Sequence, residues 1–167
     1  QEAMIQEVWH LLNEADVVIH YNGRRFDVPR LNQEFKKYGL GPPSPFKQVD
    51  LLTVVRKEFD LPSNKMDYVA TYFGLGSKVK NSGMDMWKGC LDGDPKSWKE
   101  MEIYNKGDVK LLEKIYIHML PWISGHPNAN VYNNSTKPLC PNCASKKLQK
   151  RGLERTQTLV YQRWQCL

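Results

Sequence analysis

The sequence predicts an α/β domain followed by a small, basic, cysteine-bearing β tail. Three observations carry this. A Val/Ile-rich run over residues 15–20 and a short extended piece over 46–50 alternate with stretches of helical period across roughly the first 120 residues. A turn-rich stretch from Gly125 to Pro138 then breaks the pattern, and beyond it Cys140-Pro141-Asn142-Cys143 precedes a strand-like run. The chain has 167 residues, 41% of them hydrophobic and 25% charged, a composition that can bury a core. The expected division is a domain over 1–124, a linker over 125–138 and a tail over 139–167.

Within the first segment, Met4, Ile5, Val8, Leu11 and Leu12 fall at helical spacing, and a strand over residues 15–20 follows almost at once. Asn22-Gly23 ends that strand. Pro29 suits the first turn of a helix over 29–38, with Leu31, Phe35 and Tyr38 on one face. Gly41-Pro42-Pro43-Ser44-Pro45 is a stiff loop, residues 46–50 are extended, and Leu52, Val55, Arg56 and Phe59 line a helix over 51–59. Asp50 reads as the cap of that helix. Ser63 or Asn64 starts the next one, closed by Gly74, and residues 74–85 read as a mobile, glycine-rich loop in which Lys78 and Lys80 are solvated or border the site. A long helix from Pro95 to about Leu120 follows, with Gly107 a weak point in it.

Two stretches carry chemistry. Asp27 falls where a strand ends and a helix begins, the place where open α/β sheets bind ligands; taken alone, the same fragment is an Asn-Gly turn with an aspartate cap. Tyr104 and Asp108 share a helical face if the helix continues through Gly107. The pattern Asn22-Gly23-x-x-Phe26-Asp27-x-Pro29-x-Leu31 resembles the second motif of the DnaQ-like, RNase H-fold 3′–5′ exonucleases, and Tyr104-x-x-x-Asp108 resembles the third motif of their DEDDy branch. The likeness covers about residues 1–120. The segments between the motifs look most like phage-encoded members and the proofreading domains of family B polymerases. The first motif, Asp-x-Glu on an opening strand, is absent, so the resemblance leaves two of four carboxylates and the opening strands to be sought upstream of Gln1; a degenerate relative without metals is the alternative.

The resemblance implies an RNase H-like fold and phosphodiester hydrolysis at single-stranded 3′ ends, DNA before RNA. It makes Asp27 and Asp108 ligands of Mg²⁺ or Mn²⁺, has Tyr104 orient the attacking water, and places Asn22 and Phe26 in the pocket for the terminal nucleotide. Two ions roughly 4 Å apart neutralise the attacking and leaving oxygens, and carboxylates are what hold such hard cations. A tyrosine with pKa near about 10 positions water better than it deprotonates it. With half the carboxylates missing, these residues alone are expected to be inactive. The alternatives from other classes are a non-catalytic nucleic-acid-binding module and an RNase H-like endonuclease.

The net charge of +6 is confined to the tail, where seven Lys and Arg (Lys137, Lys146, Lys147, Lys150, Arg151, Arg155 and Arg163) face the single Glu154. That is the footprint of phosphate contact, or else a solvated face. Cys140 and Cys143 have the spacing of a Zn²⁺ pair, and Cys166 ends the strand-like run over 158–165, so the tail resembles a zinc ribbon whose fourth ligand is expected past Leu167. A redox pair would sit at a helix start, and an intracellular compartment disfavours a disulfide. Cys90 reads as a buried small hydrophobe. The four histidines share no ligand spacing, and the aromatic residues read as packing. No apolar run approaches the roughly 20 residues of a membrane span, and the expected location is the cytoplasm, the host's if a phage encodes the chain.

Overall fold

The computed structural model describes residues 1–132 and 137–167 and divides into two compact units, Gln1–Trp122 and Ile123–Leu167. In the first, α1 (Glu2–Glu14) buries Ile5 and leads straight into β1 (Val17–His20). The polar residues of α1 hold the proline-rich loop: Trp9 Nε1 donates to the Gly41 carbonyl at 2.7 Å, and Asn13 Oδ1 accepts from the Ser44 amide at 2.9 Å. That loop cannot be helical, so it is fixed from outside.

After β1 the chain crosses through α2 (Asp27–Lys37) and returns as β2 (Lys47–Asp50), which pairs parallel with β1 in the register Val17↔Lys47 to His20↔Asp50. Two parallel strands joined through a helix make a βαβ unit, the arrangement the alternating pattern predicts. α2 starts two residues earlier than Pro29 suggests. Its cap is Phe26, with no side-chain cap bond, so Asp27 is the first helical residue and not the capping aspartate of the bland reading. β2 runs directly into α3 (Leu51–Glu58), and Asp50 caps it as expected, accepting from the Leu52 amide at 3.1 Å.

Two helices differ from expectation. α4 (Met66–Tyr72) begins at Met66, because Lys65 is still extended, and not at Ser63 or Asn64. α5 (Met84–Leu91), an unexpected helix, starts in the last two residues of the stretch read as loop; it buries Met86 and Cys90 one turn apart and packs on α6 (Pro95–Met119). Gly89 permits the approach: a Cβ there would lie 2.1 Å from Ser97 Oγ. α6 is capped by Asp94, which accepts from the Ser97 amide at 2.9 Å, and it runs unbroken through Gly107. The core gathers Phe35, Leu51, Val55, Val69, Met86, Ile115 and Met119, with Cys90 buried beside them as a small hydrophobe.

In the second unit, β3 (Leu148–Arg155) and β4 (Val160–Cys166) form an antiparallel ribbon with a bulge between Lys150 and Leu153, where Gly152 takes a φ of +72°. The described part of the segment read as linker is tied to the cysteine turn: the Ala129 amide donates to the Pro141 carbonyl at 2.7 Å and Asn130 Nδ2 to the Leu139 carbonyl at 2.8 Å. Asn133 to Thr136, the rest of that turn-rich stretch, lie outside the described residues. No described helix is long and apolar enough to cross a membrane.

Candidate active site

The turn between β1 and α2 is built around Asp50. Its Oδ1 accepts from the Asn22 amide at 2.8 Å as well as capping α3, and this holds Asn22 at a φ of +67°, a conformation asparagine tolerates better than most residues. The Gly23 amide donates to His20 Nδ1 at 3.1 Å, and a Cβ on Gly23 would lie 2.8 Å from His20 Cγ, so only glycine fits. His20 Nε2 meets Gln48 Oε1 at 3.1 Å; with Nδ1 accepting, Nε2 carries the proton and donates. The Phe26 and Val28 amides return to the Gly23 carbonyl, which sets Asp27 at the head of α2.

Asp27 and Asp108 line one cleft of about 400 Å³, together with His20, Met66, Lys78 and Asn105. Residues 81 positions apart in sequence thus share one concavity. Lys78, read from the sequence as a loop lysine either solvated or bordering the site, has its Nζ 2.6 Å from Asp108 Oδ2 and 3.0 Å from the Tyr104 hydroxyl, and 5.2 Å from the centre of the Tyr104 ring. Burial pushes the Lys78 ammonium down, but the bonds to Asp108 and Tyr104 outweigh it and hold its pKa above the ordinary value. Tyr104 and Asp108 therefore point the same way, as the helical spacing requires.

Two contacts place Lys78. Its amide donates to Asp67 Oδ1 at 2.6 Å, and its neighbour Val79 fits against Gly107, where a Cβ would lie 2.5 Å from Val79 Cγ2. Gly107 is thus a seat for the loop rather than a weak point. Asn22 lines an adjoining cleft of about 630 Å³ with Tyr21, Arg56, Asn64 and Lys78. Burial pushes the Tyr21 phenol up to about 12, with Arg56 opposing and Asp50 adding, and its hydroxyl donates to the Asn64 carbonyl at 2.6 Å. Phe26 is 63% exposed and lines neither cleft.

The fit to hard cations is partial. Asp108 Oδ1 is buried without a hydrogen-bond partner, the kind of oxygen a cation satisfies. Among the described residues, however, no third His, Cys, Asp or Glu donor joins Asp27 and Asp108 closely enough to share one ion. Two carboxylates are fewer than a two-ion centre needs, so such a centre does not fit these residues alone.

In the Ile123–Leu167 unit the three expected cysteines do converge. The Sγ atoms of Cys140, Cys143 and Cys166 lie within 4.8 Å of one another, with Cys143 and Cys166 at 3.7 Å. Thiolates at about 2.3 Å from a tetrahedral Zn²⁺ stand about 3.8 Å apart, so the spacing fits a metal, and all three thiols are free. Burial pushes the Cys140 thiol up, but the backbone amides of Cys143 and Asn142 and the neighbouring thiols bring it below its ordinary value. The pairing of Leu148 with Cys166 returns the third cysteine to the turn that holds the first two.

A family model described as the RNase H superfamily matches residues 1–120. Two relatives from Arabidopsis thaliana align over 64 residues: Protein NEN3 at 38% identity and Protein NEN2 at 36%, each covering 37% of this chain. The chain spans only 13% of the length of those relatives. With a match over the whole α/β unit and a cleft at the end of its parallel strands, the chain belongs to the RNase H superfamily.

Proposed function

We propose that the Gln1–Trp122 unit belongs to a metal-dependent 3′–5′ exonuclease of the DEDDy type, acting on single-stranded nucleic acid, DNA in preference to RNA. The observation that carries this reading is the shared cleft of Asp27 and Asp108, reached from the helix that also presents Tyr104. Asp27 and Asp108 would hold one Mg²⁺ or Mn²⁺, which supplies charge neutralisation at the phosphoryl oxygens and an acidified water.

The chain's own residues supply the rest. Lys78 pairs with Asp108 and brings positive charge to the place where a phosphate arrives, with its position set by Asp67 and by the gap at Gly107. The Tyr104 hydroxyl, already accepting from Lys78, is left with its proton to donate toward a water oxygen. Asn22 and the apolar floor of Leu52 and Met66 in the adjoining cleft receive the terminal nucleotide, with Arg56 and Lys65 beside them for the phosphates that follow. A second ion needs carboxylates beyond these two, so these 167 residues alone are expected to be inactive. The Cys140/Cys143/Cys166 cluster holds structural Zn²⁺.

One observation favours a second reading, a nucleic-acid-binding module without catalysis: the Lys78 ammonium already occupies a cation's place against Asp108. Trimming of a 5′-labelled single strand in Mg²⁺ by the protein in its natural, full-length chain separates the two. The exonuclease reading expects a ladder shortened from the 3′ end that Asp108→Asn reduces at least 100-fold. Tight binding with no ladder, or trimming undiminished in Asp108→Asn, rejects it.

A further inference from the structure

The β3–β4 ribbon has two faces of different chemistry. Directly opposed residues of an antiparallel pair share a face, so Lys150 with Trp164, Leu153 with Gln162 and Arg155 with Val160 lie together. The other face carries Glu154 opposite Tyr161, and Glu154 Oε2 stands 3.8 Å from Arg163 Nε. The tail's only acid is thereby engaged away from Trp164. Lys150 and Arg155 are left as the charges of their face, with Lys150 Nζ 5.9 Å from the centre of the Trp164 ring.

That face is also uncovered. Trp164 is 45% exposed, and Leu153 and Val160 are more than half exposed. An exposed indole beside one cation, on a face that also carries Arg155 and two aliphatic side chains, wants an occupant that is both flat and anionic. Unpaired bases on a phosphodiester chain are both. A duplex hides its base faces and offers this ribbon only phosphates, whereas an apolar protein partner gains nothing from Lys150 and Arg155. Charge complementarity decides for the polyanion, since residues 137–167 hold seven basic side chains against one acid.

We propose that the Lys150/Trp164/Leu153/Arg155 face is a stacking site for single-stranded nucleic acid. One base lies on the Trp164 indole, and the adjoining phosphates meet Lys150 and Arg155. The bulge at Gly152 curves the ribbon, and Cys166 at the end of β4 anchors its register to the cysteine cluster, so the site requires the metal-loaded unit. It belongs to the Ile123–Leu167 unit and does not draw on the nuclease reading.

The test uses the zinc-loaded chain carrying Asp108→Asn, without Mg²⁺, so that hydrolysis plays no part and failure of either reading leaves the other measurable. Binding of a labelled oligothymidylate is read by anisotropy beside a duplex of equal charge and a polyphosphate without bases. Trp164→Ala should weaken the oligothymidylate roughly 5- to 150-fold, the range for losing one stacked base, and leave duplex and polyphosphate unchanged. Trp164→Phe should retain most of the affinity and Trp164→Leu should not, a comparison that serves even if Trp164→Ala fails to hold zinc. Lys150→Ala should weaken all three probes and lower their salt dependence. Single-strand binding unchanged in Trp164→Leu, or an equal loss for all three probes in Trp164→Leu, overturns the proposal.

Discussion

Replacing Gly107 by alanine sets two effects against each other. A glycine inside a helix costs about 1 kcal/mol relative to alanine, so α6 taken alone gains about that much. The added Cβ, however, would lie 2.5 Å from Val79 Cγ2, about 1 Å inside ordinary carbon contact, and overpacking of this kind costs about 1–3 kcal/mol. The expected balance is a loss of between about zero and 2 kcal/mol, with Lys78 displaced from Asp108 as its neighbour moves. Val79→Ala removes the clashing methyl and leaves only its Cβ, at 3.5 Å, so in that background Gly107→Ala should stabilise by about 1 kcal/mol. Urea unfolding followed by circular dichroism at 222 nm gives the four stabilities, and the coupling should be about 1–3 kcal/mol. Gly107→Ala stabilising equally in both backgrounds would show that the loop does not rest on α6, and the placement of Lys78 would fall with it.

Other outcomes follow from single groups. Asp50→Ala removes the α3 cap and the anchor of Asn22 together and should cost about 2 kcal/mol, read in the same unfolding assay; a loss below about 0.5 kcal/mol would mean the turn stands without it. The folded-state pKa values of Tyr21, pushed up to about 12, and of Lys78, above its usual value, are both raised. The stability they contribute is therefore complete below about pH 10 and declines as pH rises through 10–12. Tyr21→Phe should flatten that decline in melting scans across the window, and an unchanged slope would contradict the assignment. A zinc site at the cysteine cluster predicts one Zn²⁺ per chain by a colorimetric chelator, a count that Cys143→Ser should abolish and Cys90→Ser should leave intact.

The elements that lay open in the sequence are those where one local rule sufficed. The Val/Ile run gives β1, the apolar period gives α3 and α6, and an aspartate before a helix gives the Asp50 cap. The elements that stayed hidden depend on contacts between distant positions. Lys78 sits in a loop without period, and its place is fixed by an acid 11 residues earlier and a missing Cβ on α6. Gly107 looks like a defect until Val79 is set against it. α5 has a buried stripe of only Met86 and Cys90, too short a pattern to distinguish from loop, and β3 has no apolar alternation because almost every residue of the ribbon faces water. Of the site, the pairing of Asp27 with Asp108 came from motif likeness, Tyr104 from helical spacing, and the cation between Tyr104 and Asp108 from neither.

Paramagnetic broadening by Mn²⁺ tests most directly whether Asp27 and Asp108 serve one hard cation. In the ¹⁵N-labelled, zinc-loaded chain, Mn²⁺ well below stoichiometry should broaden the amides around both residues together, and Asp108→Asn should abolish the effect at Asp27 as well as at position 108. Broadening at one residue without the other, or at Asp27 undiminished by Asp108→Asn, would contradict a shared site.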